Sequence, residues 1–600
     1  ECEVTTEQGG LVRAHGRLFD LPADSHAWPG DVVHCVRRAE VWLEGQLGYH
    51  TVKWKTAGTE GEALVIAAPT KAWGQPGWGN KRWGVFAPVY GLASPQSGGT
   101  GDLANLERLM QAVERRGGRY VSVLPLLAAF LDEPYAFSPY SPASRLFWNE
   151  LYLDLGKLAV EVGLEAPRAP AIKVDEPIDY RAQYRWRRPF IEQCVQRLLK
   201  DETFVNGVDA WARDKGVYDY AAFRAIGERE RKGWREWPAK LRDGLPFVAT
   251  RDAALALGAE AVGVDTHVVA QWLMQSQLQQ LQGGEVSLYL DLPVGVNCDS
   301  YEVWRWRDLF LTELAAGAPP DALFLGGQNW GLPPLSPLAA RRDRYRYFIK
   351  CIRHHMKVAG MLRIDHVMGL FRLYCVPDGR PATDGVYLRY EAEELLAIVT
   401  LESSRACCAV AGEDLGTVPE GVRPAMSRHG MFHLHVGQWF FPQHPGEKPS
   451  PSPAEAVASL NTHDTATFAG WWRGSDIEDK RDLELIDDAH ERGERHERDR
   501  QKAALLAFAD AHVEQDTLTE VERAMVAATT DLALGPAEIV LVALDDLVLD
   551  PIAHNVPGTI HERPNWQRRV QSWAESLDPE RAQPAAAAAI NALVAARPTK

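Results

Sequence analysis

The sequence predicts an α/β protein: a (β/α)8 TIM barrel with large helical insertions and a small N-terminal β-rich module. Eight short apolar runs between residues 85 and 544 have the length of buried strands, and eight is the strand count of this barrel. The first two runs flank a helix-like segment, as a βα unit requires. The chain has 600 residues, which exceeds what one compact core normally supports, so inserted or appended pieces are expected.

Residues 1–75 are predicted to form the β-rich module. Its short apolar-containing runs are separated by Gly, Pro and Asp, a pattern that is typical of short strands joined by turns. The segment 74–79 contains three glycines and one proline, and we expect it to connect the module to the rest of the chain. The runs lie at residues 11–19, 32–36, 41–43 and 63–68.

Residues 76–600 are predicted to form the barrel and its insertions, with a helix at residues 103–116 between the first two strands. The intervals at about 127–286 and 465–536 are too long for single βα connections, and both read as helical insertions. The second contains a strongly charged stretch, which indicates a solvated helix face. The eight predicted strands cover residues 85–92, 120–126, 287–292, 361–364, 406–411, 437–441, 456–460 and 539–544.

Charge and hydropathy exclude several classes of partner. The 65 basic and 81 acidic residues give a net charge of −16, so the chain repels phosphate backbones and is not expected to bind nucleic acid. No stretch approaches twenty uninterrupted apolar residues, so we expect no membrane span. No basic-then-apolar leader opens the sequence, and we therefore expect a cytoplasmic protein. A neutral substrate fits this composition better than a charged polymer.

The sequence indicates neither a metal site nor a cofactor. The eight cysteines are scattered without a C-x-x-C pair, which argues against a zinc site and against a disulfide framework. The pairs His354–His355 and His433–His435 invite a metal interpretation, but isolated histidine pairs are more often helix-surface or core groups. We therefore expect no bound metal.

Three acidic residues stand where apolar runs end. Asp365 lies in L-R-I-D-H, Glu413 in A-G-E-D-L-G and Asp464 in L-N-T-H-D. In a barrel these positions converge at the C-terminal rim, where the active sites of this fold lie. A retaining glycosidase needs one carboxylate as nucleophile and a second carboxyl that switches between acid and base. The pattern therefore predicts carbohydrate chemistry.

Arg363 and Asp365 are two residues apart in a predicted strand. This spacing places both side chains on the same face, while Ile364 points the other way. An arginine beside a carboxylate keeps it ionised, which suits a nucleophile that attacks an anomeric carbon at neutral pH.

Several segments in register resemble those of amylomaltases, the 4-α-glucanotransferases of the superfamily that includes α-amylases. Each short match alone is weak, but together they cover most of residues 80–570 in order. The resemblance implies a barrel enzyme without calcium. The matching segments are S-P-Y-S at 138–141, D-L-P-V-G-V-N-C-D-S at 291–300, G-Q-N-W-G at 327–331, R-I-D-H, G-E-D-L-G, T-H-D, N-V-P-G-T at 555–559 and P-N-W at 564–566.

The resemblance also implies roles for individual residues. Asp365 is expected to be the nucleophile, Glu413 the acid and base, and Asp464 the third carboxylate, which binds hydroxyls of the donor sugar. The remaining candidates are expected to bind or support the substrate. They are His463 as a hydroxyl ligand, Arg363, Asp291 and His366 around the nucleophile, Trp330 as a lid, Tyr140 as a stacking platform, and Asp299.

The expected activity is cleavage of α-1,4 bonds in maltooligosaccharides, starch or glycogen, with transfer of the glucanosyl unit to glucose or another maltooligosaccharide. Two alternatives stay open at this point. An amylase-like α-glucan hydrolase would be favoured by an open acceptor side without the Trp330 lid. A catalytically silent glucan-binding protein would be favoured by the loss of any of the three carboxylates, all of which are present.

Overall fold

The computed structural model shows an eight-stranded parallel barrel with antiparallel sheets and many helices around it. It describes residues 1–598 except 29–32, 39, 44, 78, 80, 174–175, 244, 321–325 and 514–516. The predicted fold class, a barrel with helical insertions and N-terminal β structure, is confirmed.

The N-terminal part contains a four-stranded antiparallel sheet, in the order β2-β1-β5-β6, and a two-stranded ribbon of β3 and β4. The predicted runs overlap β2, β4 and β6, although residue 32 and residue 78 of the expected connector lie outside the described residues. Residues 41–43 form no strand, so that prediction was wrong. The strand β5 was missed because polar residues alternate along it. The strands are β1 (Cys2–Thr5), β2 (Leu11–Ala14), β3 (Ala23–Ala27), β4 (His34–Arg37), β5 (Gly48–Lys55) and β6 (Glu60–Ala67).

The barrel strands run parallel in the order β15-β12-β9-β8-β7-β18-β17-β16. Seven of the eight predicted strands overlap an observed one. The prediction at 437–441 was wrong, because Gly437–Phe440 is a 3-10 helix and the strand lies just before it. Two histidines in that strand interrupt its apolar run. The barrel strands are β7 (Arg82–Phe86), β8 (Tyr120–Ser122), β9 (Ser287–Leu292), β12 (Met361–Ile364), β15 (Ala409–Gly412), β16 (His433–Val436), β17 (Ala456–Ser459) and β18 (Ile539–Ala543).

Phe432, the residue before β16, completes the ring of strands. Its amide donates to Val410 O on β15, and its carbonyl accepts from Gly412 N, each at 2.9 Å. One buried cluster is built from side chains of six barrel strands together with Phe432, as expected for the packed interior of such a barrel. Its members are Tyr120, Tyr289, Met361, Ala409, Ala411, Phe432, Val457, Ile539 and Leu541.

The first predicted insertion is helical and lies between β8 and β9, whereas α1 (Leu103–Arg115) connects β7 to β8. Its helices are α2 (Leu155–Val162), α3 (Tyr180–Leu198), α4 (Glu202–Lys215), α5 (Val217–Glu230), α6 (Ala239–Arg242), α7 (Arg251–Ala256) and α8 (Ala261–Gln280).

A second sheet, in the order β11-β10-β13-β14, is antiparallel and was not predicted. It combines residues before and after β12, so no continuous stretch of sequence indicates it. The strands are β10 (Leu314–Ala318), β11 (Gln328–Leu332), β13 (Arg372–Pro377) and β14 (Val386–Arg389). The neighbouring helices are α9 (Tyr301–Arg305), α10 (Pro337–Arg342), α11 (Arg346–Met356), α12 (Ala392–Ala406) and α13 (Val422–Arg428).

The second predicted insertion, between β17 and β18, is also helical. The N-terminal half of α16 is largely exposed, as its charged sequence predicts. Among the described helices, none is long and apolar enough to cross a membrane. The remaining helices are α14 (Phe468–Arg473), α15 (Ser475–Asp482), α16 (Asp488–Asp510), α17 (Glu520–Leu534), α18 (Leu544–Leu547), α19 (Trp573–Ser576) and α20 (Pro584–Ala596).

Candidate active site

The three acidic residues follow barrel strands at the C-terminal rim. Asp365 directly follows β12 and Glu413 directly follows β15. Because these two strands pair in parallel, their carboxylates emerge from adjacent strand ends. Backbone hydrogen bonds fix both residues: Asp365 N donates to Leu292 O at 3.0 Å, and Glu413 N donates to Ile364 O at 2.9 Å. Asp464 lies in the loop after β17.

The Arg363 guanidinium joins two carboxylates. Its Nη1 lies 2.5 Å from Asp291 Oδ2, and its Nη2 lies 2.8 Å from Asp365 Oδ1. Arg363 and Asp291 are register partners on β12 and β9, and the contact with Asp365 confirms that Arg363 and Asp365 share a face. The Tyr140 hydroxyl donates to Asp291 Oδ2 at 2.6 Å. Four predicted site residues therefore form one connected group.

The Glu413 carboxyl accepts hydrogen bonds from two backbone amides, those of Leu415 and of His366. Its Oε2 accepts from His366 N, and its Oε1 accepts from Leu415 N, each at 2.9 Å. His366 has a left-handed backbone with φ of 45°, which non-glycine residues adopt rarely and usually where the surrounding structure enforces it. This local conformation aims the amide of the residue after Asp365 at the Glu413 carboxyl.

Burial raises the pKa of both carboxyls on these adjacent strands. Burial raises the pKa of Asp365 to about 6. The Arg363 cation, which touches the Asp365 side chain, acts to lower this pKa. The pKa of Glu413 rises to about 7, through burial and the nearby Asp365 charge. At neutral pH, Asp365 is therefore mainly a carboxylate, and Glu413 keeps a proton in a substantial fraction of molecules.

Asp464 has the opposite electrostatic environment. Its partial burial acts to raise the pKa, but contacts with His463 and Asn555 lower it to about 2. His463 Nε2 lies 3.2 Å from Asp464 Oδ2, and Asn555 Nδ2 donates to Asp464 Oδ1 at 2.8 Å. Although burial acts to lower it, the pKa of His463 is raised by Asp464. Because 42% of the Asp464 side chain is exposed, this carboxylate can reach a ligand.

Aromatic rings form a wall beside these groups. Tyr140 stacks on His463 with ring centroids 5.1 Å apart and an interplanar angle of 21°. The Trp566 ring lies 5.3 Å from Tyr140 and 5.9 Å from His463, and Phe86 lies 6.0 Å from His463. Such surfaces bind the apolar faces of sugar rings through the same packing forces that join aromatic side chains.

Trp330 approaches the site from β11. Its ring meets the His366 ring edge to face, with centroids 5.3 Å apart, and its Nε1 donates to Gln328 Oε1 at 3.2 Å. Gly331 beside it has φ of 68°, a conformation that glycine adopts without strain. Burial lowers the pKa of His366 to about 4, so its ring is neutral at physiological pH.

Asp299 lies in the loop after β9 but faces the helical insertion. Its Oδ1 is 3.4 Å from Arg235 Nε, and its amide donates to Asn297 Oδ1 at 2.8 Å. Across the part of the chain that the structure describes, no hydrogen bond or ion pair joins Asp299 to Asp365, Glu413 or Asp464. The structure thus brings nine of the ten predicted residues into one connected group and places Asp299 apart.

The sequence interpretation gave no role to Asn555, Trp566 and Phe86, which contact this group. Asn555 and Trp566 lie in the N-V-P-G-T and P-N-W segments, so the matching segments were a usable signal for them. Phe86 ends β7 and carried no signal beyond its place at a strand end.

The histidine pairs have other contacts. His354 stacks on Trp148 at 3.9 Å, His433 Nδ1 lies 3.0 Å from Asp414 Oδ2, and His435 stacks on Phe440 at 4.7 Å. In the described ranges, no group of three or more His, Cys, Asp or Glu residues is placed to hold a metal ion.

A family model and the related proteins described here indicate the same protein family. The family model of glycoside hydrolase family 77, described as 4-alpha-glucanotransferase, matches residues 87–575. A 4-alpha-glucanotransferase of Mycobacterium tuberculosis is 32% identical over 561 residues, which cover 87% of this chain and 76% of that protein. One from Haemophilus influenzae is 30% identical and covers 84% of this chain and 78% of its own length.

Two solved structures share the fold. Amylomaltase from Corynebacterium glutamicum superposes with a TM-score of 0.77 at 22% identity, covering 99% of this chain and 86% of that one. Amylomaltase from Streptococcus agalactiae in complex with acarbose gives a TM-score of 0.70 at 20% identity, covering 86% of this chain and 99% of that one. The chain belongs to glycoside hydrolase family 77, and it is a 4-α-glucanotransferase that acts on α-1,4-glucans.

Proposed function

We propose that the enzyme works by double displacement, with Asp365 as nucleophile and Glu413 as acid and base. The donor is a maltooligosaccharide, starch or glycogen chain, and the acceptor is glucose or a maltooligosaccharide. The observation that carries this proposal is the electrostatic difference between the two carboxyls. Of the two, Asp365 is the carboxylate in contact with the Arg363 cation, which opposes the effect of burial on its pKa. The Glu413 carboxyl accepts hydrogen bonds from the His366 and Leu415 amides, and burial raises its pKa to about 7.

In the first half-reaction, an Asp365 oxygen attacks the anomeric carbon of the donor. The bond from that carbon to the glycosidic oxygen breaks, and Glu413 gives its proton to the departing oxygen. The products are the released reducing-end part of the glucan and a glucanosyl ester of Asp365 with β configuration. This step requires an ionised nucleophile and a protonated acid at the same pH.

In the second half-reaction, Glu413 accepts the proton of an acceptor hydroxyl. The hydroxyl oxygen attacks the anomeric carbon, and the ester bond to Asp365 breaks. Two inversions give net retention, so the new linkage is again α. Both residues return to their starting protonation states.

Asp464 and His463 are proposed to bind hydroxyls of the donor sugar. Asp464 stays ionised throughout, because its pKa is about 2, and an ionised acceptor makes stronger hydrogen bonds than a neutral one. Tyr140 would stack on the sugar, supported by its contacts with His463 and Trp566. Arg363, Asp291 and His366 would keep the nucleophile ionised and oriented.

Transfer requires an acceptor hydroxyl to reach the ester before water does. Trp330 packs against His366, the residue after Asp365. The Trp330 ring therefore lies beside the nucleophile, where it would cover a bound acceptor. A covered site excludes water and orients the acceptor. Asp299 is proposed to bind an outer part of the glucan beside Arg235. That the Streptococcus agalactiae amylomaltase was solved with acarbose supports a glucan-shaped ligand here too.

We also propose that residues 76–600 are the catalytic part and residues 1–75 a separate module. All the contacting site residues lie between Phe86 and Trp566, which supports this division.

Incubation with maltotriose tests the transfer mechanism. We expect glucose together with a ladder of oligomers longer than maltotriose. Maltose and glucose alone would indicate hydrolysis and would contradict the proposed water exclusion. Proton NMR of the early products should show α linkages, and β linkages would rule out double displacement.

A further inference from the structure

Two consecutive buried carboxylates follow the last barrel strand. Asp545 and Asp546 lie in the first turn of α18, directly after β18, and are 2% and 1% exposed. Neither has a role in the reaction proposed above. Each needs hydrogen-bond partners, because an unpaired buried carboxylate is strongly destabilising.

Asp546 joins the two ends of the loop that carries Asp464. Asn461 Nδ2 donates to both carboxylate oxygens, at 2.9 and 2.8 Å, and Phe468 N donates to Oδ1 at 2.8 Å. Asn461 and Phe468 bracket the segment T-H-D-T-A-T at 462–467. One carboxylate therefore closes the loop at its base.

Asp545 holds together the two ends of the loop that carries Asn555. Its Oδ2 lies 3.1 Å from His554 Nε2, and its Oδ1 accepts a hydrogen bond from Arg568. The amide of Trp566 donates to His554 O at 2.8 Å, which brings the two ends of this loop together. On its other side, His554 Nδ1 lies 3.0 Å from the Tyr90 hydroxyl.

The two loops meet at Asp464. Asn555, next to His554, donates to Asp464 Oδ1 at 2.8 Å, while Trp566, at the far end of the same loop, packs against His463 at 5.9 Å. The position of the Asp464 carboxylate thus depends on its own loop, held by Asp546, and on a neighbouring loop, held by Asp545.

We propose that Asp545 and Asp546 are positioning residues, each closing one of the two loops that fix the Asp464 carboxylate. This inference rests on the proposed role of Asp464 in binding the donor sugar. It explains why two adjacent buried acidic residues are placed at the rim beside β17, since each serves a different loop. A displacement of about 1 Å in a catalytic group can lower a rate by about 100-fold.

The test uses Asp545→Asn and Asp546→Asn in the full chain, with Asp219→Asn as a matched control. Asp219 is also fully buried and hydrogen-bonded, to Tyr301, Arg305 and Val248 N, but lies in the helical insertion. All three variants should melt at a lower temperature. We expect kcat on maltotriose to fall by about 10- to 100-fold in the first two only, with maltotriose Kd changed much less.

A swap of partners separates positioning from general destabilisation. In the double variant Asn461→Asp/Asp546→Asn, the amide introduced at position 546 can donate to the carboxylate introduced at position 461, and its oxygen can still accept from Phe468 N. We expect kcat to recover toward the wild-type value, and the double variant also serves if Asp546→Asn does not fold. The inference is overturned by wild-type kcat in both single variants, by an equal kcat loss in Asp219→Asn, or by a folded swap variant that shows no recovery.

Failure of the proposed function has a different signature. Wild-type turnover by Asp464→Asn would show that Asp464 itself is dispensable. If Asp464→Asn is inactive while Asp545→Asn and Asp546→Asn keep full turnover, the role of Asp464 stands and only the positioning inference fails.

Discussion

The Glu413 carboxylate accepts a hydrogen bond from the backbone amide of His366, with 2.9 Å between Glu413 Oε2 and His366 N. Because His366 follows Asp365 in the chain, any shift of the peptide that carries the nucleophile is transmitted to the acid. The left-handed backbone of His366 fixes the direction of this amide. The geometry of the pair is therefore set by main-chain atoms as well as by side chains.

Replacing Asp365 by Asn should abolish transfer. The amide has no negative charge and attacks an anomeric carbon poorly, and loss of a catalytic nucleophile typically lowers kcat by about 10⁴-fold or more. Binding of maltotriose, measured by calorimetry, should persist because the remaining site residues are intact. Asp299→Asn is a useful control, since we expect at most a modest change in KM there. Turnover by the Asp365 variant at the wild-type rate would refute the assignment.

The dependence of kcat/KM on pH should be bell-shaped. Asp365 acts when deprotonated, so activity falls as pH drops below about 6, its pKa. Glu413 starts protonated, so activity falls as pH rises above about 7, its pKa. The two limbs report apparent values of an interacting pair, and the maximum should lie between them. Initial rates on maltotriose from pH 4 to 9 test this, and a rate that keeps rising to pH 9 would contradict the role of Glu413.

Replacing Arg363 by Met should move the acid limb of that profile upward. The cation opposes the effect of burial on Asp365, so its loss raises the pKa of the nucleophile further and narrows the active range. Stability should fall by about 3–5 kcal/mol, as for other buried ion pairs that lose one partner. Arg363→Lys keeps the charge but cannot contact both Asp291 and Asp365 through two guanidinium nitrogens. The acid limb of its pH profile should move less than that of Arg363→Met. Equal profiles for both variants would argue against direct electrostatic control by Arg363.

Replacing Trp330 by Ala should increase hydrolysis relative to transfer. The ring contacts His366, the residue after the nucleophile, and in the proposed mechanism its removal admits water to the Asp365 ester. Quantifying reducing ends against free glucose during maltotriose turnover gives the ratio of the two reactions. Trp330→Phe retains an aromatic cover and should change the ratio less than Trp330→Ala. An unchanged ratio in the alanine variant would remove Trp330 from the water-exclusion mechanism.

The elements that the sequence predicted well are those in which local pattern and final environment agree. The strands β9, β12 and β18 are largely apolar runs, because both of their faces are buried in the barrel, and Asp291 and Arg363 are the charged residues within β9 and β12. The strand β16 contains two histidines that take part in local contacts, so its sequence lacked such a run. The antiparallel sheet around β10 escaped prediction because it joins segments from both sides of β12.

The site residues also differ in how well the local sequence indicates their positions. Arg363, Asp365 and Glu413 could be grouped from sequence because they lie on or beside neighbouring strands. Asn555 reaches Asp464 only through a loop closed by Asp545, and such long-range closure leaves no periodic signal. Asp299 was grouped with Asp291 because both lie in one segment, but the chain turns toward Arg235 between them.

The barrel is completed at Phe432 by two main-chain hydrogen bonds to β15, whereas β12 has a full parallel partner on each side. On one side, β15, the strand before Glu413, therefore has a seam closed by only these two hydrogen bonds to Phe432. The strand before Asp365, β12, has no such weakly bonded side. The hydrogen bonds at that seam should open more often than those on either side of β12, so local opening of the barrel should begin on the side of β15 that faces Phe432. Hydrogen–deuterium exchange at the amides of Phe432 and Gly412 should accordingly outpace exchange at Leu362.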